Sequence, residues 1–255
     1  MRPDGRQPHE IRPITIEPDF IRYPEGSVLY HAGETMVLCN ASVLERTAPF
    51  LRGSGEGWVT AEYAMLPRAT DTRSDREVKK GKPSGRSQEI QRLIGRSLRA
   101  AVDRGEIGER TVAIDCDVLQ ADGSTRTASI SGGWIALVFA LARMREQGLI
   151  SEWPLTHQIV AVAVGLLNGE ARADLDYGED FDCDVDLNLV FTGGGNLIEV
   201  QGTAEGESFS PDQLNILLEV GWQGAEQVIA KQREIVGPRL DACLLYTSPS
   251  PRDHG

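Results

Sequence analysis

Aromatic side chains are scarce, at 6% of 255 residues, and cysteine and histidine occur only four times each. Each scarcity excludes something. Cys39, Cys116, Cys183 and Cys243 lack paired spacing, which argues against a disulfide framework or a zinc site. Three of them lie in apolar or strand-like runs, as reduced thiols of a cytoplasmic protein do. His9 and His31 have no partner spacing for acid–base work. The aromatics nearest the arginine-rich stretches are Phe50 and Tyr63, so no base-stacking platform is evident. No uninterrupted apolar run reaches the ~18 residues of a membrane span. The opening MRPDGRQPHEIRP has no apolar stretch after its basic residues, which argues against a signal peptide.

The formal net charge of −12 speaks against nucleic acid only until its distribution is considered. Residues 68–104 hold eleven Lys/Arg against five Asp/Glu, a local balance of +6. Residues 170–219 hold thirteen Asp/Glu against Arg172 alone, a balance of −12. A polyanion responds to the local field, so a basic surface is compatible with an acidic total.

Alternation and β-branched residues predict strands over 13–23, 27–31, 35–44, 58–66 and 111–119. Asn168-Gly169 and Gly193–Gly195 predict two further hairpins. SGRSQEIQRLIGRSLRAAVD reads as a helix capped by Ser84 or Ser87, with Ile90, Leu93, Ile94 and Leu98 on its apolar face. A second helix is expected from about Gly133 to Gln147, and a third over about 211–235 behind Ser210 and Pro211. Hairpins outnumber crossovers, which predicts an α+β fold: mixed sheets with helices on one side. Both halves show short β-meanders followed by helices, but with too little identity to call a repeat. Residues 1–240 are expected to form the folded part of the chain. Residues 241–255, rich in proline and serine, read as a disordered tail of non-native coding.

Three constellations could carry chemistry. QADGSTRTASISGGW at 120–134 places Ser124, Thr125 and Arg126 after a strand; hydroxyls and a guanidinium match phosphate oxygens, although a turn needs only Asp122-Gly123. Arg86 stands at the expected start of the first helix, where unpaired N–H groups favour an anion, or where it is simply solvated. In YGEDFDCDVDLNLVF, a strand would put Asp180, Asp182, Asp184 and Asp186 on one face, repelling one another or holding a divalent cation such as Mg²⁺; a solvated acidic edge is the plainer reading. Scattered arginines suit a surface that reads a nucleic-acid backbone: Arg2 and Arg6, then Arg68, Arg73 and Arg76, and the i, i+4, i+7 stripe Arg92, Arg96 and Arg99.

Long stretches in order carry a resemblance: RPDGR at 2–6, FLRGSGEGWVTAEYAMLPRAT, SGRSQEIQRLIGRSLRAAVD, ERTVAIDCDVLQADGSTRTASISGGW, DLDYGED…DVDLN and EVQGTAEGESFS. The chain resembles the bacterial ribonuclease PH family of phosphate-dependent 3′ exoribonucleases, departing from it in the aspartate-rich FDCDVD and in the tail. The resemblance implies the ribonuclease PH fold, related to a ribosomal-protein domain, with two β-α subdomains. It implies phosphate binding by Arg86, Ser124, Thr125 and Arg126, and catalysis by Asp180, Asp186 and Arg126. Mg²⁺ would sit at Asp180 and Asp186, six apart and thus on one strand face, with Asp180 a candidate acid. Inorganic phosphate would be the co-substrate. The partners implied are tRNA precursors and other RNA 3′ ends, and a homohexamer built as a trimer of dimers, without membrane. Two rivals stand beside this reading: a two-metal hydrolytic nuclease, and a non-catalytic RNA-binding ring subunit.

Overall fold

A computed structural model describes residues 2–205 and 208–244. Strands β1 (Ile14–Pro18), β2 (Gly26–Ala32) and β3 (Thr35–Leu44) form a meander, the last hairpin turning at Gly33-Glu34. β4 (Trp58–Met65) then leads through α1 (Gly85–Arg99) and the short α2 (Arg104–Ile107) to β5 (Thr111–Gln120). β5 lies between β3 and β4, antiparallel to the first and parallel to the second, so the five-stranded sheet β1-β2-β3-β5-β4 is mixed.

After α3 (Thr125–Glu146), β6 (Ile159–Leu167) and β7 (Glu170–Ala173) form the hairpin expected at Asn168-Gly169, both residues having positive φ. The short α4 (Tyr177–Asp182) precedes β8 (Val185–Thr192) and β9 (Leu197–Ala204), and α5 (Pro211–Leu244) closes the described chain. The second sheet, β7-β6-β8-β9, is wholly antiparallel.

The core is organised around α3, which has no polar face: eighteen of its twenty-two residues are buried. A helix apolar all round must be enclosed on all sides. One side of α3 packs on β2, β3 and β5, another on β6. Along β6, Ile159 and Ala161 join the cluster around α3, while Val160, Val162 and Val164 join the cluster against α5. The second sheet therefore carries helices on both faces, not on one as expected, and this is why IVAVAVGLL is buried at every position. The amide of Gln232 on α5 donates to the carbonyls of Ser131 and Ile159, both at 3.0 Å, tying the layers together.

The strand expected over 13–23 ends at Pro18, where Asp19 turns with φ +54°, and three further boundaries differ from the sequence reading. Helix α3 starts at Thr125, eight residues before Gly133, and includes the hydroxyl-rich segment expected as loop. Its Ser, Thr and Gly residues are poor helix formers, but their small size lets the helix approach the sheet: a Cβ on Gly132 would lie 2.8 Å from Cys39 Sγ. Asp122-Gly123 is accordingly a strand-to-helix turn. Helix α5 runs past Gly237-Pro238 to Leu244, where Arg239 covers the Phe139 ring at 3.7 Å and pairs with Asp19. Residues 241–244, expected in the tail, are thus helical, and 245–255 lie outside the described residues. The third is the acidic segment: 180–186 is not one strand, because Asp180 belongs to α4 and Asp186 to β8.

The candidate membrane span by length and composition is α3, and it is core. Its closest approach is at Gly26, where an added Cβ would meet the Ala136 carbonyl oxygen at 2.0 Å. Neither backbone can yield without moving the helix from the sheet. Gly26→Ala is expected to cost about 3 kcal/mol, at the upper end for overpacking; urea unfolding checks it, and a loss under ~1 kcal/mol would show that the contact relaxes freely.

Candidate active site

The cleft between the two sheets receives side chains from five elements, α1, α3, α4, β8 and β9. Ser84 begins α1 with its hydroxyl accepting from the Ser87 N–H, which leaves Arg86 in the first turn, exposed and facing the cleft. Across from it, β5 ends in the turn at Gly123, whose φ is +73°. A Cβ there would lie 2.6 Å from the Leu175 carbonyl oxygen, so only glycine lets β5 and the chain leading to α4 approach this closely.

Ser124 follows in the left-handed region, φ +56°, and its hydroxyl donates to the Leu175 carbonyl at 2.9 Å instead of capping α3. The N-terminus of α3 therefore has no side-chain cap. Its first turn holds N–H groups without helical partners and the positive end of a twenty-two-residue dipole. The Thr125 hydroxyl meets the Tyr63 hydroxyl at 2.9 Å. Arg126 is held by one edge, with Nη1 donating to Gln201 Oε1 at 3.3 Å and Nη2 facing Glu89 Oε2 at 3.3 Å. Gln201 in turn donates to Glu89 at 2.9 Å.

Asp180 and Asp186 arrive from different elements, which corrects the expected single strand face. The sequence carries the signal for this: Asp176 and Glu179 form a reciprocal capping box that starts α4. Glu179 also meets Arg2, whose Nε donates to Oε1 at 2.8 Å, with both groups almost wholly buried. Arg2 Nη2 also donates to Oε2, and Arg172 adds a third bond to Glu179 at 3.2 Å. Arg12 pairs with Asp174 at 2.7 Å and also reaches the Asp122 carbonyl. Arg2, read as part of an RNA surface, is thus a buried structural residue, and with Arg6 it clamps the N-terminal arm to the chain before α4. Asp182 and Asp184 are exposed.

These elements enclose two adjoining cavities. The inner one, about 190 Å³, is lined by Ser124, Thr125 and Arg126 together with Arg86, Asp180 and Asp186. The outer one, about 620 Å³, shares Arg86, Arg126, Asp180 and Asp186 and extends to Gln201 and Glu205. Buried Asn188, from β8, lines both and was missed in the sequence, as were Glu89 and Gln201; an Asn inside a strand of apolar neighbours was the available signal. Burial pushes the Asp186 carboxyl up to about 6, Asp180 and Glu205 add repulsion, and Arg126 and Arg86 oppose them. Asp180 is raised in the same way, burial leading and Arg86 and Arg126 holding it back. Two guanidinia and two strained carboxylates around one small cavity can hold a phosphate beside a divalent cation.

The remaining arginines part company. Arg68, Arg73 and Arg76 are exposed on the segment after β4, Arg73 paired with Asp75 at 3.0 Å. On α1, Arg92 is exposed and Arg96 pairs with Glu199 at 3.1 Å. Arg99 is committed to packing: it lies 4.2 Å from the Trp58 ring and donates to the Val59 carbonyl at 2.8 Å.

The fold matches that of solved exosome proteins. Rice Rrp46 superposes with TM-score 0.76 at 21% identity, over 92% of this chain and all of that one. An Archaeoglobus fulgidus exosome with RNA bound to the active site gives 0.74 at 23% identity, over 90% and 92% of the two chains. At such identities these likenesses define the fold alone, one shared with solved exosome proteins. Sequence is more specific: domains 1 and 2 of the 3′ exoribonuclease family match residues 10–142 and 157–224. A Bacillus velezensis protein named Ribonuclease PH is 54% identical over 241 residues, 94% of this chain and 98% of that protein. The chain belongs to the 3′ exoribonuclease family. It is a phosphorolytic 3′-to-5′ exoribonuclease and nucleotidyltransferase, with inorganic phosphate as co-substrate and RNA as substrate.

The raised Asp186 implies a stability cost at neutral pH. Folding holds its proton more tightly than the unfolded chain does, so stability falls as pH rises from about 4 through about 6. In metal-free protein, Asp186→Asn is expected to be more stable than the parent above pH 7, on the order of 2 kcal/mol. Near pH 4 that gain should vanish. Denaturant unfolding at the two pH values checks the sign; an Asn variant no more stable at pH 8 would contradict it.

Proposed function

We propose that the inner cavity holds inorganic phosphate at the N-terminus of α3, between Arg86 and Arg126, with Ser124 and Thr125 lining it. The observation that carries this is the uncapped N-terminus of the buried α3 opening between two arginines from separate elements. Backbone N–H groups, a helix dipole and two permanently charged forks form an anion site without a dedicated cofactor. The scissile linkage of an RNA 3′ end lies beside it, over Asp180 and Asp186. An oxygen of the bound phosphate forms a bond to phosphorus as the bond to the departing 3′-oxygen breaks, releasing a nucleoside 5′-diphosphate. The bonds exchanged are similar, so the same site adds nucleotides when diphosphate is plentiful.

Positioning and charge neutralisation supply most of the rate, because phosphate is already a nucleophile. The departing 3′-oxygen takes up a proton. Asp180, its carboxyl raised by burial, is the candidate donor of that proton, with Asp186 left ionised for the cation. Mg²⁺ fits the pair: the repulsion of two carboxylates with Glu205 nearby is only partly offset by Arg126 and Arg86, and substrate oxygens and water complete such a shell. Among the described residues no third carboxylate or histidine closes a cage, as suits Mg²⁺ held with its substrate. When bound, the ion neutralises charge on the reacting phosphates.

The natural substrates on this reading are tRNA precursors and other RNA 3′ ends in the cytoplasm. Arg68, Arg73, Arg76 and Arg92 track the RNA backbone, with Arg96 and Arg99 beside them held in protein contacts. The assembly is a homohexamer, a trimer of dimers.

Arg126→Ala removes charge-assisted hydrogen bonds worth about 1.5–3 kcal/mol each. It is expected to reduce kcat/KM at least ~100-fold, with RNA affinity nearly unchanged; steady-state kinetics and filter binding read the two separately. A fall in RNA affinity as large as the fall in rate assigns Arg126 to the RNA track instead. Light scattering at low micromolar concentration is expected to give six subunits, and a monomer that still trims RNA tails efficiently would refute the ring.

A further inference from the structure

Tyr177 and Phe181 are 62% and 78% exposed, as Tyr23 and Phe50 also are, but these two stand together at the cavity that holds the arginines and aspartates. They stand at i and i+4 on α4 and so share one face of it. Their centroids are 6.4 Å apart and their planes tilted by 34°. Both line the outer cavity beside Asp180, Asp186, Arg86 and Arg126.

Neither ring belongs to a core cluster. The fold does not need them: α4 is held by the Asp176–Glu179 capping box and by the buried Arg2–Glu179 pair, and Tyr177 contributes a backbone N–H to Asp122 Oδ1 at 3.3 Å. Phe181 has no polar group to orient. What α4 offers at this rim is a firmly seated pair of π faces.

We propose that Tyr177 and Phe181 form a stacking ledge for bases at the 3′ end of the RNA, making the enzyme sensitive to whether the terminal base can stack. The inference rests on the reading that this cleft takes an RNA 3′ end. The phosphates must lie on the charged floor, among the guanidinia and the cation-binding carboxylates. The attached bases, planar and apolar-faced, are then directed to the rim. On the α1 and β9 side that rim is polar, with Glu89 and Gln201 hydrogen-bonded together. On the α4 side it is aromatic. A cavity of about 620 Å³ accommodates a nucleotide-sized ligand. Stacking tolerates any aromatic base, favours larger rings, and carries no hydrogen-bond code. Phe181 is on this account a positioning residue, acting on where the terminal nucleotide sits and not on phosphate binding.

The test uses full-length enzyme and three short RNAs that differ only at the 3′ nucleotide: adenosine, dihydrouridine and an abasic residue. Wild-type protein is expected to prefer the adenosine end over the other two about tenfold in kcat/KM. Phe181→Ala should raise KM for the adenosine-ended RNA about 5- to 150-fold, the range set by stacking on one aromatic. It should also erase most of the preference and leave KM for phosphate unmoved. Phe181→Trp should restore the preference, which a merely structural role would not do. Phosphate-dependent turnover by wild type tests the underlying reading separately: without it, that reading and the ledge fall together. With it, a preference unchanged in Phe181→Ala overturns the ledge alone. A changed mass in light scattering with the preference intact makes the rings a subunit contact and likewise overturns the proposal.

Discussion

A helix sealed between two sheets has no solvent with which to satisfy its ends, and α3 is such a helix. Its C-terminal carbonyls reach the surface near Gln147, but its N-terminus opens into the cleft, uncapped. Ser124 would ordinarily cap that end; its hydroxyl is instead turned to the Leu175 carbonyl, and its left-handed backbone is fixed by the turn at Gly123. A full set of unpaired N–H groups thus faces a polar cavity. The apolar length of α3 and the anion affinity of its end are one design: the more completely the helix is buried, the more firmly the donors are aimed.

The acidic half of the site depends on a different device. Helix α4 is six residues long and could not persist alone in water. It is fixed from beneath by Glu179, which caps its N-terminus and accepts from buried Arg2 and from Arg172. Removing one partner of such a pair leaves an uncompensated buried charge, which costs far more than the pair contributes by itself. The N-terminal arm is therefore part of the active-site scaffold, although it lines neither cavity. Asp180 inherits its place from that clamp, and Asp186 from the ladder of β8 with β6 and β9.

Much of this was legible in the sequence. The hairpins at Asn168-Gly169 and Gly193–Gly195 followed from turn chemistry, and α1 from its apolar spacing and its serine cap. Arg86, Ser124, Thr125, Arg126, Asp180 and Asp186, singled out by residue chemistry and family resemblance, do line one cavity. The misreadings have a common cause, which is tertiary context overriding local preference. The segment 125–132 looked like loop because its hydroxyls and glycines suit loops; they are there to let a helix touch a sheet. The alternation in FDCDVDLNLV is genuine only from Val185 onward, and the capping box a few residues earlier outweighs it. Arg2 and Arg99 could not be told from solvent-facing arginines, since their carboxylate and indole partners lie far away in sequence. The aromatic rim was invisible for the same reason: Tyr177 and Phe181 share a face only if α4 is a helix.

The central claim is that the α3 N-terminus, with Arg86 and Arg126, is where phosphate sits, within one cavity with the two aspartates. Crystals of the protein soaked in tungstate, a heavy phosphate analogue, test it by anomalous difference density. The expected result is a single strong peak in the inner cavity, within hydrogen-bonding reach of the Thr125 and Arg126 N–H groups and of both guanidinia, and displaced by added phosphate. A cavity without density at saturating tungstate, with the anion bound instead along Arg68, Arg73 and Arg76, would contradict it.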